Sequence, residues 1–188
     1  MRRLSFRPAI SMRRRKFKGL RGWAGKPLHP PLTDIPVGAY MIVAGLDVIS
    51  HVAQDEEWAR DFFRAATFVL IAGAAVSLLT ALTGFWDWLK STQAGTQVRR
   101  EANAHALTMI TVTVLVLVNI ALRTLEYGGD DHSNAVVVGL SVVAAALTVL
   151  GGTIGGSLVY DYGFNVETAG DHPAYHESEQ DVLPGEQS

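Results

Sequence analysis

Apolar residues in this chain come in four long runs, and polar residues mark the gaps between them. The runs span about Ile35–Ala53, Phe62–Leu89, Ala104–Leu125 and Asn134–Tyr160. Each reaches the roughly 20 residues that a helix needs to cross a bilayer. The gaps, at about Gln54–Asp61, Lys90–Asn103 and Glu126–Ser133, are short enough to force successive helices antiparallel. The pattern predicts an all-α polytopic membrane protein: an up-down bundle of four transmembrane helices in the lipid bilayer, with disordered termini. Small residues recur at helical spacing within it, as Gly73, Ser77, Ala81 and Gly84 in the second run and as Gly151-Gly152 and Gly155-Gly156 in the fourth. Such residues let helix backbones approach closely in lipid. The glycines of the fourth run lie inside an apolar span with no strand before them, so they read as packing residues and not as a phosphate loop.

Ahead of the first run stands Lys26-Pro-Leu-His-Pro-Pro-Leu-Thr-Asp-Ile-Pro-Val-Gly38. Proline has no N–H and restricts the residue before it. The stretch is therefore expected to be a rigid, non-helical elbow that brings His29 and Asp34 to the membrane surface. Pro36 is tolerated near a helix start, and Thr33 or Asp34 is placed to cap that helix. Three units result: a basic segment and elbow over 1–33, the transmembrane domain over 34–160, and an acidic tail over 161–188.

Charge adds an orientation. Ten of the sixteen Lys and Arg residues fall in the first 26 positions, whereas seven acidic residues and no Lys or Arg lie from Asp161 onward. With the N-terminus in the cytoplasm, thirteen basic residues lie inside and only Arg60, Arg64 and Arg123 outside. Both termini are thus expected to be cytoplasmic, in a bacterial-type plasma membrane. The charges run into the elbow and not into a short apolar stretch with a cleavage site, which argues against a signal peptide. Few aromatics interleave with the basic residues, so nucleic acid is not an expected partner. The chain has no cysteine, which removes disulfides, thiolate metal sites and thiol nucleophiles. His172 and His176 in the tail, with Pro173 between them, read as solvated side chains.

Polar groups inside the spans are costly and so mark candidate sites. They sort into two layers. Asp47 and His51 share a face of the first helix, as Asn119 and Arg123 do on the third. An Asp47–Arg123 ion pair would make this outer layer a structural clamp, or else a proton or quinone-headgroup site that includes His51. The inner layer gathers His29 and Asp34 from the elbow, Asp87 between Trp86 and Trp88, and His105. Its two imidazoles and two carboxylates suit a divalent metal, or two axial ligands to a haem; the alternatives are a pinned elbow and proton handling. Glu101, His105 and Thr108 continue on the face that bears Asn119 and Arg123, but Val112, Leu115 and Val116 interrupt it, so no continuous water path is expected.

Several of these motifs together resemble the signature of the family known as domain of unknown function 2231: Pro27-Leu-His-Pro-Pro-Leu-Thr-Asp-Ile-Pro-Val-Gly38, Gly84-Phe-Trp-Asp87, the spacing His105…Asn119…Arg123, and Gly155-Gly-Ser-Leu-Val-Tyr160. The resemblance covers about Gly25 to Val166 and implies a four-helix bacterial membrane protein. Many members carry a histidine where this chain has Lys26, which removes one ligand from the elbow. In some relatives a Rieske iron–sulfur domain follows the fourth helix, so the resemblance implies an electron-transfer context. Without cysteine, a Rieske-type or other redox protein would be a separate partner.

Three functions follow from this reading. The first is a redox-associated subunit that binds haem or a metal near the cytoplasmic face. The second is a non-catalytic scaffold or partner subunit, and the third a small transporter acting as a homo-oligomer. No nucleophile–base constellation is apparent, so the reading leans away from an enzyme: Ser50–His51 and His132–Ser133 are adjacent in sequence, and adjacent helical residues do not face each other.

Overall fold

The computed structural model describes residues 16–24 and 26–164. The basic residues Arg2 to Arg15 and the tail beyond Phe164, with His172 and His176, lie outside the described residues. Four helices form the molecule: α1 (His29–Val52), α2 (Ala59–Ser91), α3 (Gln97–Leu125) and α4 (Ala135–Tyr160). All four are long and apolar enough to cross a membrane, and no strand forms among the described residues. α1 packs along α2 and α4, and α3 along α4 and more lightly along α2. The helices therefore form a ring, with α1 and α3 on one diagonal.

The distribution of side chains is that of a bundle in lipid. Phe68, Leu78, Leu82, Leu107, Ile110 and Leu117 face outward, while Asp47, Asn119, Arg123, Ser141 and Thr148 are buried. Lipid chains are as apolar as leucine, so helices gain little by hiding apolar groups from them and associate through close packing and hydrogen bonds instead. An apolar middle layer of Tyr40, Val43, Leu70, Val112, Val116 and Ala144 separates two polar ends. Gly73 sets the α1–α2 approach there, since a Cβ on it would lie 2.7 Å from that of Ala39.

The elbow is not an elbow. α1 begins at His29 and takes in Pro30, Pro31, Thr33 and Asp34, five residues before the expected boundary. Prolines in a first turn lose nothing, because those N–H groups have no intrahelical partner. Leu28 occupies the cap position without a side-chain cap bond; neither Thr33 nor Asp34 caps, and the Thr33 hydroxyl instead donates to Pro30 O at 2.5 Å. Pro36 lies inside the helix and cannot bond Leu32 O. The Thr80 hydroxyl of α2 reaches that carbonyl at 3.2 Å and shares its one proton with Val76 O of its own helix at 3.0 Å, so a neighbouring helix supplies part of what the proline withholds.

Two further ends differ from the apolar pattern. α3 starts at Gln97, because Thr96 accepts from Arg99 N at 3.2 Å and caps it. Residues 16–24 and 26–28 belong to a folded strap, with a 3-10 turn at Gly19–Arg21 and Phe17 against Trp23, ring centroids 5.0 Å apart. Gly22 has φ 77°, and a Cβ there would come 2.7 Å from Lys26 O, so the turn requires glycine.

Candidate functional site

At one end of the bundle all four helices converge on Arg123. Its Nε donates to Asn119 Oδ1 at 2.8 Å, and Nη1 donates to Thr67 Oγ1 at 3.1 Å and Phe63 O at 3.4 Å. Nη2 pairs with Asp47 and reaches Ser141 Oγ at 3.5 Å. Each of the five guanidinium N–H groups thus has an acceptor. Asp47 takes further bonds from Ser133 Oγ at 2.7 Å and Ser141 Oγ at 2.5 Å. Asn119 Nδ2 donates to Ser141 Oγ at 2.9 Å. Both members of the ion pair have no exposed side-chain surface. A buried pair is tolerable only when its remaining donors and lone pairs are satisfied, and here they are. The pair crosses the α1–α3 diagonal.

His51 stands above this network. Its Nδ1 lies 2.9 Å from Ser133 O, and its ring centroid is 6.4 Å from that of His132. The network and His51 are therefore contiguous through Ser133, whose N–H donates to Ser50 Oγ at 2.9 Å.

At the opposite end His29 and His105 meet across the same diagonal, ring centroids 6.2 Å apart and planes at 85°. His29 Nδ1 lies 3.0 Å from Thr80 O, and His105 Nδ1 lies 2.8 Å from Gly151 O. A carbonyl can only accept, so each Nδ1 carries the proton and each neutral ring keeps its lone pair on Nε2. Neither Nε2 has a protein hydrogen-bond partner among the described residues. Glycines make room for both rings: a Cβ on Gly84 would stand 2.6 Å from His29 Cε1, and one on Gly155 2.9 Å from His105 Cε1.

The inner carboxylates do not join this pair. Asp87 is buried but bonded to Arg21 Nε at 3.0 Å, and Arg21 also reaches Ser91 Oγ at 2.5 Å, which ties the strap to α2. Asp34 lies on the exposed surface of α1. Among the described residues no group of three or more His, Asp or Glu side chains is arranged to hold a metal, so the four-ligand set expected from the sequence does not assemble. A surface cavity of about 600 Å³ lies on the α1–α4 face, lined by Val37, Thr148, Gly152 and Gly156 and not by the histidines. Glu101, on the expected polar stripe, closes the end of α4 by accepting from Ser157 Oγ and Tyr162 OH, both at 2.8 Å. That bond holds the Tyr162 phenol above its ordinary pKa.

Sequence reasoning missed Arg21, Thr67, Thr80, His132 and Ser133 as members of these clusters. Ser141 was visible only as a serine in an apolar span. Its polarity inside the membrane was the available signal; Arg21, His132 and Ser133 sit in the strap or a loop, where polar residues are unremarkable, and Thr67 and Thr80 lie inside α2, where a threonine can bond its own helix backbone.

The family model for a predicted membrane protein, domain of unknown function 2231 (DUF2231), matches residues 25–168. Comparison with curated proteins and with solved structures gave no match.

Proposed function

The chain belongs to the DUF2231 family of predicted membrane proteins, and on that premise we propose that it is a redox-associated membrane subunit holding a transition-metal ion between His29 and His105. The observation that carries this is the orientation of the two imidazoles. Each is fixed by an Nδ1–H bond to a backbone carbonyl, the arrangement that metal-ligating histidines adopt to set tautomer and ring direction. Each offers an unengaged Nε2. Haem fits the site poorly, because the rings sit in glycine notches of closely packed helices, so the reading narrows to a bare ion.

The excess of basic residues on the side of the N-terminus supports placing this end of the bundle at the cytoplasmic face of the plasma membrane, with both termini inside. There a separate electron-transfer protein, of Rieske type or another redox class, could reach it. The Asp47–Arg123 network takes the structural role in this reading. The Arg123 donors are all used within it, and an apolar layer lies between it and the histidines.

Metal analysis and a visible spectrum of protein purified in mild detergent test the proposal. About one metal per chain, lost in both His29→Ala and His105→Ala, is the expected result. A metal-free wild type that takes up no added ion would overturn it and leave the scaffold reading.

A further inference from the structure

We infer that the strap ahead of α1 and the last turns of α2 form a docking surface for the anionic phospholipid headgroups of the leaflet on that side of the bundle. The surface is separate from the histidine pair, and the inference does not depend on the metal-binding reading.

Position is the first ground. α2 has 33 residues and so is about 50 Å long at the rise of an α-helix, whereas the hydrocarbon core of a bilayer is about 30 Å thick. The excess falls at the helix ends, and at one of them Trp86 and Trp88 bracket Asp87, with Lys90 and Ser91 following. Tryptophan settles at the level of the headgroups. The strap is fastened to this stretch, because Arg21 bonds Asp87 at 3.0 Å and Ser91 Oγ at 2.5 Å. It is also closed on itself: Lys18 N donates to Gly22 O at 2.7 Å, Trp23 N to Lys26 O at 3.0 Å and Ala24 N to Lys16 O at 3.0 Å. Its side chains are therefore presented at the headgroup layer by a folded element.

The second ground is what that element shows outward. Phe17 is 59% exposed, and Leu20, in the 3-10 turn, is 50% exposed. Phe85, Trp86 and Leu89 are exposed on the adjoining part of α2. Cations accompany these apolar groups. Lys16 and Lys90 are exposed, and neither side chain has a hydrogen bond or ion pair among the described residues. Trp86 and Lys90 are four apart and share a face of α2. Across the strap and the stretch 84–91, Lys16, Lys18, Arg21, Lys26 and Lys90 stand against one carboxylate, Asp87.

These two properties together select the occupant. Stable interfacial anchoring takes apolar insertion and a basic patch in combination. Each lysine near an anionic surface strengthens the association by roughly fivefold. A free phosphate or another soluble anion would use the charge and leave Phe17 and Leu20 in water, whereas a bilayer with anionic headgroups uses both.

The test uses the full-length protein, delipidated in a mild nonionic detergent. Retained lipid is counted by native mass spectrometry after addition of phosphatidylglycerol, phosphatidylcholine or inorganic phosphate. Phosphatidylglycerol should be preferred over phosphatidylcholine on the order of 20-fold, and inorganic phosphate should not displace it. Lys16→Gln combined with Lys90→Gln should remove most of that preference. Neither lysine has an internal partner, so this variant should keep the helicity and melting temperature of the parent. Arg2→Gln combined with Arg3→Gln removes the same charge away from the surface and should change the preference far less. A spin label on Leu20→Cys, the only cysteine of that variant, should be shielded from a water-soluble nickel complex in vesicles of phosphatidylglycerol and phosphatidylcholine. Equal retention of the two lipids, equal losses in the two charge variants, or a label open to the nickel complex would overturn the inference. Displacement of phosphatidylglycerol by inorganic phosphate would make the surface a soluble-anion site instead. Displacement by a peptide of residues 165–188 would make it a docking site for the acidic tail.

Discussion

Arg123 shows how much one residue can organise inside a membrane. Its five N–H groups reach side chains or carbonyls on the other helices and on its own, and none reaches water. Removing one member of such a pair leaves the other buried and uncompensated, at a cost of about 3–5 kcal/mol. Arg123→Ala and Asp47→Ala should therefore each lower the unfolding free energy in detergent by that order. The double variant should recover part of the loss, because no lone charge then remains. Additive losses would show that the two groups do not act as a pair. The inner histidines belong to the same scale. A single methyl on Gly84 would fall 2.6 Å from His29 Cε1, so Gly84→Ala should destabilise the bundle by about 1–3 kcal/mol. Gly152→Ala, with open space around it, should be near neutral in the same denaturation assay.

At the scale of the element, α1 is the informative helix. It starts through two prolines and continues across a third, and Thr80 of α2 answers the last of these by donating to Leu32 O. Thr80→Val should cost about 1 kcal/mol, the usual worth of a hydrogen bond between membrane helices. It should also speed amide exchange in the first turns of α1. In a Pro36→Ala background the restored N–H can bond Leu32 O, so the same Thr80→Val change should cost less. Equal costs in both backgrounds would show that Thr80 does not serve the proline. The strap ahead of α1 is the other element with a clear fastening. Arg21→Ala removes its bond to Asp87 and should speed tryptic cleavage after the half-buried Lys18 in limited proteolysis.

For the whole molecule, the arrangement turns on a diagonal. Both polar clusters join α1 to α3, the helices that are not ring neighbours, and an apolar layer lies between them. The absence of native cysteine makes topology directly measurable. With the N-terminus inside, Gln54→Cys in the α1–α2 loop should react with a membrane-impermeant maleimide on intact cells. Gln93→Cys in the α2–α3 loop should react only after permeabilisation. The reverse pattern would invert the orientation and move the histidine pair to the outer face.

The apolar runs alone specified four spanning helices and their antiparallel order, because hydrophobic length is a one-dimensional property that a bilayer reads directly. The same holds for Asp47, Asn119 and Arg123, since charge inside a span announces itself and helical spacing groups it by face. The sequence misled at Lys26–Gly38, where proline content reads as a break although first-turn positions tolerate it and Thr80 supplies a partner from 48 residues away. It also placed Asp34 and Asp87 with the histidines, for they share a level along the membrane normal. Only tertiary structure decides which groups at one level meet. It turns Asp34 outward, gives Asp87 to Arg21, and sets His29 and His105 in glycine notches on α2 and α4. Those meetings depend on helix rotation and on the ring order of the bundle, and neither is written in the periodicity of any single helix.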